Sequence, residues 1–127
     1  MATWQFDFHL VPKITVEGKF GEVPVTISRV DYDERNWWDG IDPQPNVEAD
    51  LSVFLPRGRA WDSQRAIWGI EDGDRVDVLH DGHRIAEVYG RIDMRNLSLT
   101  FVNRVVELAR RHGLLVVTEG RHVLRPS

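Results

Sequence analysis

The chain has 127 residues, of which 42% are apolar and 28% charged, with a net charge of −4 and no cysteine. That size and balance fit one soluble globular domain, 1–127, with too much apolar content and too little net charge for disorder. The missing cysteines exclude disulfides, thiolate catalysis and Cys-ligated zinc, and the acidic balance argues against a nucleic-acid binder, which needs a basic surface excess.

The elements follow in chain order. "TWQFDFHLV" at 3–11 alternates, with Trp4, Phe6, Phe8 and Leu10 on one face and Gln5, Asp7 and His9 on the other, which predicts a half-buried strand ended by Pro12. It lacks a basic start and a long apolar run, so no signal peptide is expected, and no apolar run is long enough to span a membrane. A cytoplasmic bacterial protein is the expectation. Val23, Val25 and Ile27 alternate with polar residues and Pro24, which predicts an edge strand. Residues 31–46 are polar, carry Gly40, Pro43 and Pro45, and read as a long loop. "VEADLSVFL" at 47–55 alternates again and predicts another strand.

Trp61, Arg65 and Trp68 fall at i, i+4 and i+7, which predicts a short helix over about 60–68, closed by Gly69. "RVDVLH" and "HRIAEVYGRIDM" read as a hairpin joined at Asp81-Gly82. Asn96 or Ser98 can cap a long helix over about 97–112. Its apolar stripe is Phe101, Val102, Val105, Leu108 and Ala109, and Gly113 follows as the stop. "LLVVT" and "RHVLR" form a closing hairpin. Many strands with few helices predict an α+β fold, a mainly antiparallel sheet with the long helix packed on one face.

The charge is unevenly spread. Residues 31–50 hold seven acids and one base, a balance of −6, while the segment from Leu97 onward carries five arginines and two glutamates. The arginines Arg104, Arg110, Arg111, Arg121 and Arg125 read as an ordinary solvated face, because a phosphate-binding patch would interleave aromatics. No Walker A motif, G-x-G-x-x-G or G-x-S-x-G elbow occurs. His80 and His83 flank a turn and are weak metal candidates, since a third protein ligand is wanting. No metal or other cofactor is expected. Arg91, Asp93 and Arg95 alternate and predict an ion-pair ladder at a strand exit, with a ligand-binding arginine pair as the sharper alternative.

Five tryptophans occur. Trp4, Trp61 and Trp68 lie on regular apolar faces and are assigned to the core. Trp37 and Trp38 are adjacent in the acidic segment and cannot share one face of a strand or helix. Two readings stand side by side: aromatic anchors for a partner, or a lid over the sheet. The candidate partner-binding set is Asp31, Asp33, Glu34, Trp37, Trp38 and Asp39. An enzyme is not expected. One alternative is a carbohydrate-binding or glycan-hydrolysing domain, in which the same rings stack on sugars and paired carboxylates act as acid and base. Another is a structural module that self-associates, acidic segment against Arg-rich C-terminal part.

The "WW" in an acidic loop, the run Leu55-Pro56, Trp61, Trp68-Gly69, and Arg91 to Arg95 before a helix together resemble small bacterial domains, including immunity proteins of polymorphic toxin systems. The features span roughly residues 37–112. The resemblance implies a non-enzymatic protein that binds and blocks a cognate toxin, with no catalytic residues to carry over. It agrees with a protein partner rather than nucleic acid or membrane.

Overall fold

The first strand, β1 (Gln5–Pro12), forms where the alternation places it, and it becomes an inner strand of the sheet. The computed structural model describes residues 4–60 and 62–126. Its sheet has six strands, in the order β2 (Arg65–Gly69), β3 (Arg75–Asp81), β4 (Arg84–Asp93), β1, β5 (Leu114–Thr118) and β6 (Val123–Leu124), and every pairing is antiparallel. Among the described residues four α-helices accompany it, α1 (Lys13–Phe20), α2 (Arg29–Asp33), α3 (Val47–Phe54) and α4 (Leu99–Arg111), with a short 3-10 helix at Met94–Asn96. The fold is α+β, mainly antiparallel sheet, with the long helix on one face. No helix among the described residues is long and apolar enough to cross a membrane.

α4 forms because its apolar residues recur at helical spacing. Phe101, Val105, Leu108 and Ala109 are buried, Ser98 accepts the Phe101 N–H at 3.2 Å, and Gly113 takes positive φ just past the end. The β3–β4 hairpin turns at Gly82 and His83. Only Gly82 has positive φ, so the turn is not type I′, which needs positive φ at both central residues.

Several sequence expectations are corrected. Residues 47–54 are a helix rather than a strand. Asn46 caps it by accepting the Ala49 N–H, and burial follows Val47 and Leu51, one turn apart, while Val53 is exposed. The alternating apolar residues fit both periods, and the cap decides. The short helix expected over about 60–68 is instead the strand β2. Asp62 Oδ1 accepts the Gln64 N–H in a tight local turn, and β3 then offers a complete ladder to Arg65–Gly69. The role given to Trp61 lies outside the described residues. The edge strand around 23–27 shrinks to one bridge, Thr26 with His122. α1 was not anticipated, because only Val16 of its residues is fully buried. Trp4 is half-buried under Arg95, whose guanidinium carbon stands 3.6 Å from the ring centroid.

The two faces of the sheet carry different cores. α3 and α4 cover one, where Phe8, Leu10, Trp68, Val76, Val78, Val88 and Val116 are buried. On the other face α1, α2 and the chain around them cover only the β1–β5–β6 side, where Val11, Leu115, Val117 and Val123 pack on Val16, Ile27 and Tyr32. The rest of that second face, on β2, β3, β4 and the start of β1, is mostly polar, with Ile67 of β2 buried beside Asp77. Register places Asp77, Tyr89 and His9 in one cross-strand row and Arg75, Arg91 and Asp7 in the next.

Candidate binding cleft

The segment after α2 leaves the second face, rounds the end of the sheet and enters α3 on the first face. Trp37 and Trp38 sit at the crossing. Both are buried, at 3% and 1% exposure. Trp37 belongs to the second-face core and Trp38 to the first-face core. The Trp37 indole N–H donates to the Tyr32 carbonyl at 3.1 Å, and that of Trp38 to the Leu10 carbonyl at 3.0 Å. The Trp38 backbone is fixed as well. Its N–H donates to Asn36 Oδ1, and its carbonyl accepts from Gln44, whose amide also bonds both backbone groups of Ile85. Trp37 and Trp38 therefore cannot serve as exposed aromatic anchors, nor stack on a sugar while this packing holds. Adjacent side chains can both be buried because the chain passes between two cores on opposite sides of the sheet.

The acids of the segment stay near the surface. Asp33, Glu34 and Asp39 are exposed and Asp31 is half-buried. Lys19 stands 3.8 Å from Asp31 and 4.0 Å from Glu34, and Arg29 stands 3.6 Å from Asp33. Exposed pairs at such distances contribute little stability, on the order of 0–1 kcal/mol. Asp39 and Asp42 have no ion pair among the described residues. Farther along, Glu48 and Asp50 of α3 point inward to other elements, Glu48 to His80 at 2.6 Å and Asp50 to His112 at 2.6 Å. Two of the seven acids, Glu48 and Asp50, thus tie the structure together.

Between the 32–38 segment and the ends of β1 and β4 lies a cleft of about 400 Å³. Asp33, Glu34, Trp37 and Trp38 of the expected set line it, whereas Asp31 and Asp39 do not. Tyr32, Arg35, Asn36, Ala86 and Glu87 complete much of the wall. Glu87 Oε1 lies 3.2 Å from His9 Nδ1, a close approach that makes no hydrogen bond. The His9 ring sits between Tyr32 and Tyr89, with centroid distances of 5.1 and 6.0 Å. Burial, and then the Glu87 carboxylate, push the Tyr32 phenol well above its ordinary pKa, so it stays protonated at neutral pH. Tyr32, His9 and Glu87 were missed in the sequence. The available signal was His9 on the polar side of β1 and Glu87 in step with Tyr89 and Arg91 on β4, which together mark a polar face on inner strands.

A second charged cluster lies farther along the same face. Asp77 is fully buried. Arg75 clamps it with two bonds, at 2.9 and 2.7 Å, Arg65 reaches it at 2.6 Å, and the Tyr89 hydroxyl donates at 3.1 Å. Burial alone would raise this carboxyl, but the bonds from Arg75 and Arg65 outweigh it and hold the group below the usual carboxylate range. Both carboxylate oxygens accept from donors, Oδ2 from three of them, the condition under which a buried charge is tolerated.

The remaining candidates fall into structural roles. His80 and His83 are not cross-strand partners, since His80 pairs with Ile85 and bonds Glu48. No group of three or more His, Asp or Glu able to hold a metal occurs among the described residues. The predicted Arg91–Asp93–Arg95 ladder is split. Asp93 pairs with Arg95 at 3.0 Å, while Arg91 lies 3.6 Å from Asp7 on β1. The C-terminal arginines are dispersed, Arg111 on Asp50, Arg110 on Glu107 and Arg121 over the Tyr32 ring. No protein-family model, curated protein or solved structure matches the chain.

Proposed function

We propose that this chain is a small non-enzymatic interaction domain of the bacterial cytoplasm, immunity-like in kind, that binds a basic partner protein through the 31–42 segment. The observation that supports it is the anchoring of that segment. Two buried indoles and the Gln44 amide fix its backbone from beneath, while Asp33 and Glu34 line a cleft and Asp39 and Asp42 face solvent beyond it. A surface held rigid before contact loses little conformational entropy on binding. A cluster of one charge sign steers an oppositely charged partner and speeds encounter. In this reading the tryptophans act from inside, as the mount of the surface rather than its contact points.

The test is a charge reversal. The triple variant Asp33→Lys, Glu34→Lys, Asp39→Lys is expected to keep its melting temperature within a few degrees, because these groups are exposed and weakly paired. Its binding to a partner copurified with the unmodified chain should fall at least roughly tenfold, and the unmodified complex should weaken with added salt. Undiminished binding by the triple variant would sink the proposal. A homogeneous dimer that dissociates with salt and needs no other protein would instead favour self-association, acidic segment against arginines.

A further inference from the structure

We propose that Asp39 is a site of covalent rearrangement, where the Gly40 backbone nitrogen attacks the Asp39 side chain and converts the residue to isoaspartate. The sequence holds three Asp-Gly pairs, Asp39-Gly40, Asp72-Gly73 and Asp81-Gly82. All three aspartates are exposed, and each is followed by a residue with no Cβ to hinder the attack. The glycine N–H is what distinguishes them. That of Gly73 donates to the Ile70 carbonyl at 3.0 Å, and the same peptide unit is held at its other end, where Arg95 donates to the Asp72 carbonyl at 2.9 Å. Gly73 is also buried against the Ile70 side chain. The Gly82 N–H donates to Gln64 Oε1 at 3.1 Å, with Asp81 in the ladder opposite Arg84. The Gly40 N–H and the Asp39 carbonyl have no hydrogen-bond partner among the described residues. Gly40 is exposed, and a Cβ added to it would meet nothing within 4 Å.

The reaction needs only this chain and water, so the site stands apart from the function proposed above. The Gly40 nitrogen bonds to Asp39 Cγ, the Cγ–OH bond of the carboxyl breaks, and the amide proton leaves with that hydroxyl as water. A five-membered succinimide results. Water then adds to one of its two carbonyls. Opening at Cγ restores aspartate. Opening at the backbone carbonyl leaves the chain running through Cβ and Cγ, with the former backbone carbonyl as a free carboxylate. Mass is unchanged, and the main chain is one atom longer. A nitrogen whose N–H is already bonded must first be released by local opening, which delays attack at Gly73 and Gly82 but not at Gly40. The added atom falls between two carbonyls that are held in place, that of Trp38 by Gln44 and that of Ile41 by Arg84. The new main-chain carboxylate is the group that isoaspartyl methyltransferases methylate.

The test ages the full chain in warm neutral buffer and follows each Asp-Gly pair separately. Peptides are separated by chromatography, and isoaspartate is read by methyl transfer from a labelled donor with an isoaspartyl methyltransferase. Asp39 is expected to convert at least roughly fivefold faster than Asp72 or Asp81, the factor that one ordinary hydrogen bond supplies. In concentrated urea the three rates should come together, because the bonds that separate them are gone. Gln64→Ala, which removes the acceptor of the Gly82 N–H, should speed conversion at Asp81 severalfold and leave Asp39 unchanged. Asp39→Glu, whose longer side chain cannot close the five-membered ring, should remove methyl acceptance at that position, and circular dichroism checks that both variants are folded. Equal rates in the folded chain, faster conversion at Asp72 or Asp81, or a ranking that persists in urea overturns the proposal. So does an Asp81 rate indifferent to Gln64→Ala.

Discussion

The two faces of the sheet solve the same problem with different chemistry. The first buries hydrocarbon along its length under α3 and α4. The second does so only beside β5 and β6, and fills the rest with a carboxylate, two guanidiniums and a phenol bonded to one another. Hydrocarbon packing is tolerant of small errors and gains in proportion to area. A buried ion network contributes little net stability but is severe when one member is lost, since the others stay charged and unpaired. The first face therefore holds the fold together, and the second constrains which geometry is allowed.

Substitutions break this comparison in different ways. The largest effect is expected at the crossing point. Trp38→Ala, in the larger cluster, should cost roughly 3–5 kcal/mol in urea denaturation, with Trp37→Ala toward the lower end. A loss below about 1 kcal/mol at both would return the pair to the surface. Asp77→Asn should cost about 3 kcal/mol, because Arg65 and Arg75 lose their shared counter-charge. It should also change the pH profile. The folded-state pKa of Asp77 lies below the unfolded one, so its stabilising contribution is present above the ordinary carboxylate range and lost as pH falls through the folded pKa. The unmodified chain should thus lose stability below about pH 4 along a slope that Asp77→Asn lacks, read from melting temperatures across the acid range. A smaller effect is expected at Gly90, which faces Phe8 across the β1–β4 pair. A Cβ there would stand 2.2 Å from the Phe8 ring, so Gly90→Ala should cost about 1–3 kcal/mol as the first-face core shifts to admit it. If Gly90→Ala proved neutral, that core would be looser than its packing implies.

Where one pattern had one physical solution, the sequence was readable. β1, the β3–β4 hairpin, α4 and the closing hairpin each follow from periodicity and turn residues. The spacing of Val47, Leu51 and Leu55 fits a strand and a helix alike, and Asn46 was the deciding residue. Arg65–Gly69 is a strand because β3 lies next to it, a fact that no local window contains. The acidic segment was legible as a place of interest, but its partners in the cleft were not. Tyr32 of α2 and Glu87 of β4 meet only where α2 packs over His9 of β1, and Trp37 and Trp38 are hidden only because the chain rounds the sheet at that point. The polar second face was visible in outline, since Asp7, His9, Asp77, Tyr89 and Arg91 all alternate with apolar neighbours. What the sequence concealed was that these rows adjoin.

The peptide bond between Trp37 and Trp38 has a consequence for unfolding. It links two cores on opposite sides of one sheet, as Leu10–Val11 and Leu114–Leu115 do within strands. Neither core can open without withdrawing its indole, and one residue of slack is too short to let its neighbour stay seated. Separate clusters often behave as separate cooperative units with their own opening free energies. Here the two are yoked, and the indole N–H protons of both residues should exchange with solvent at one common rate.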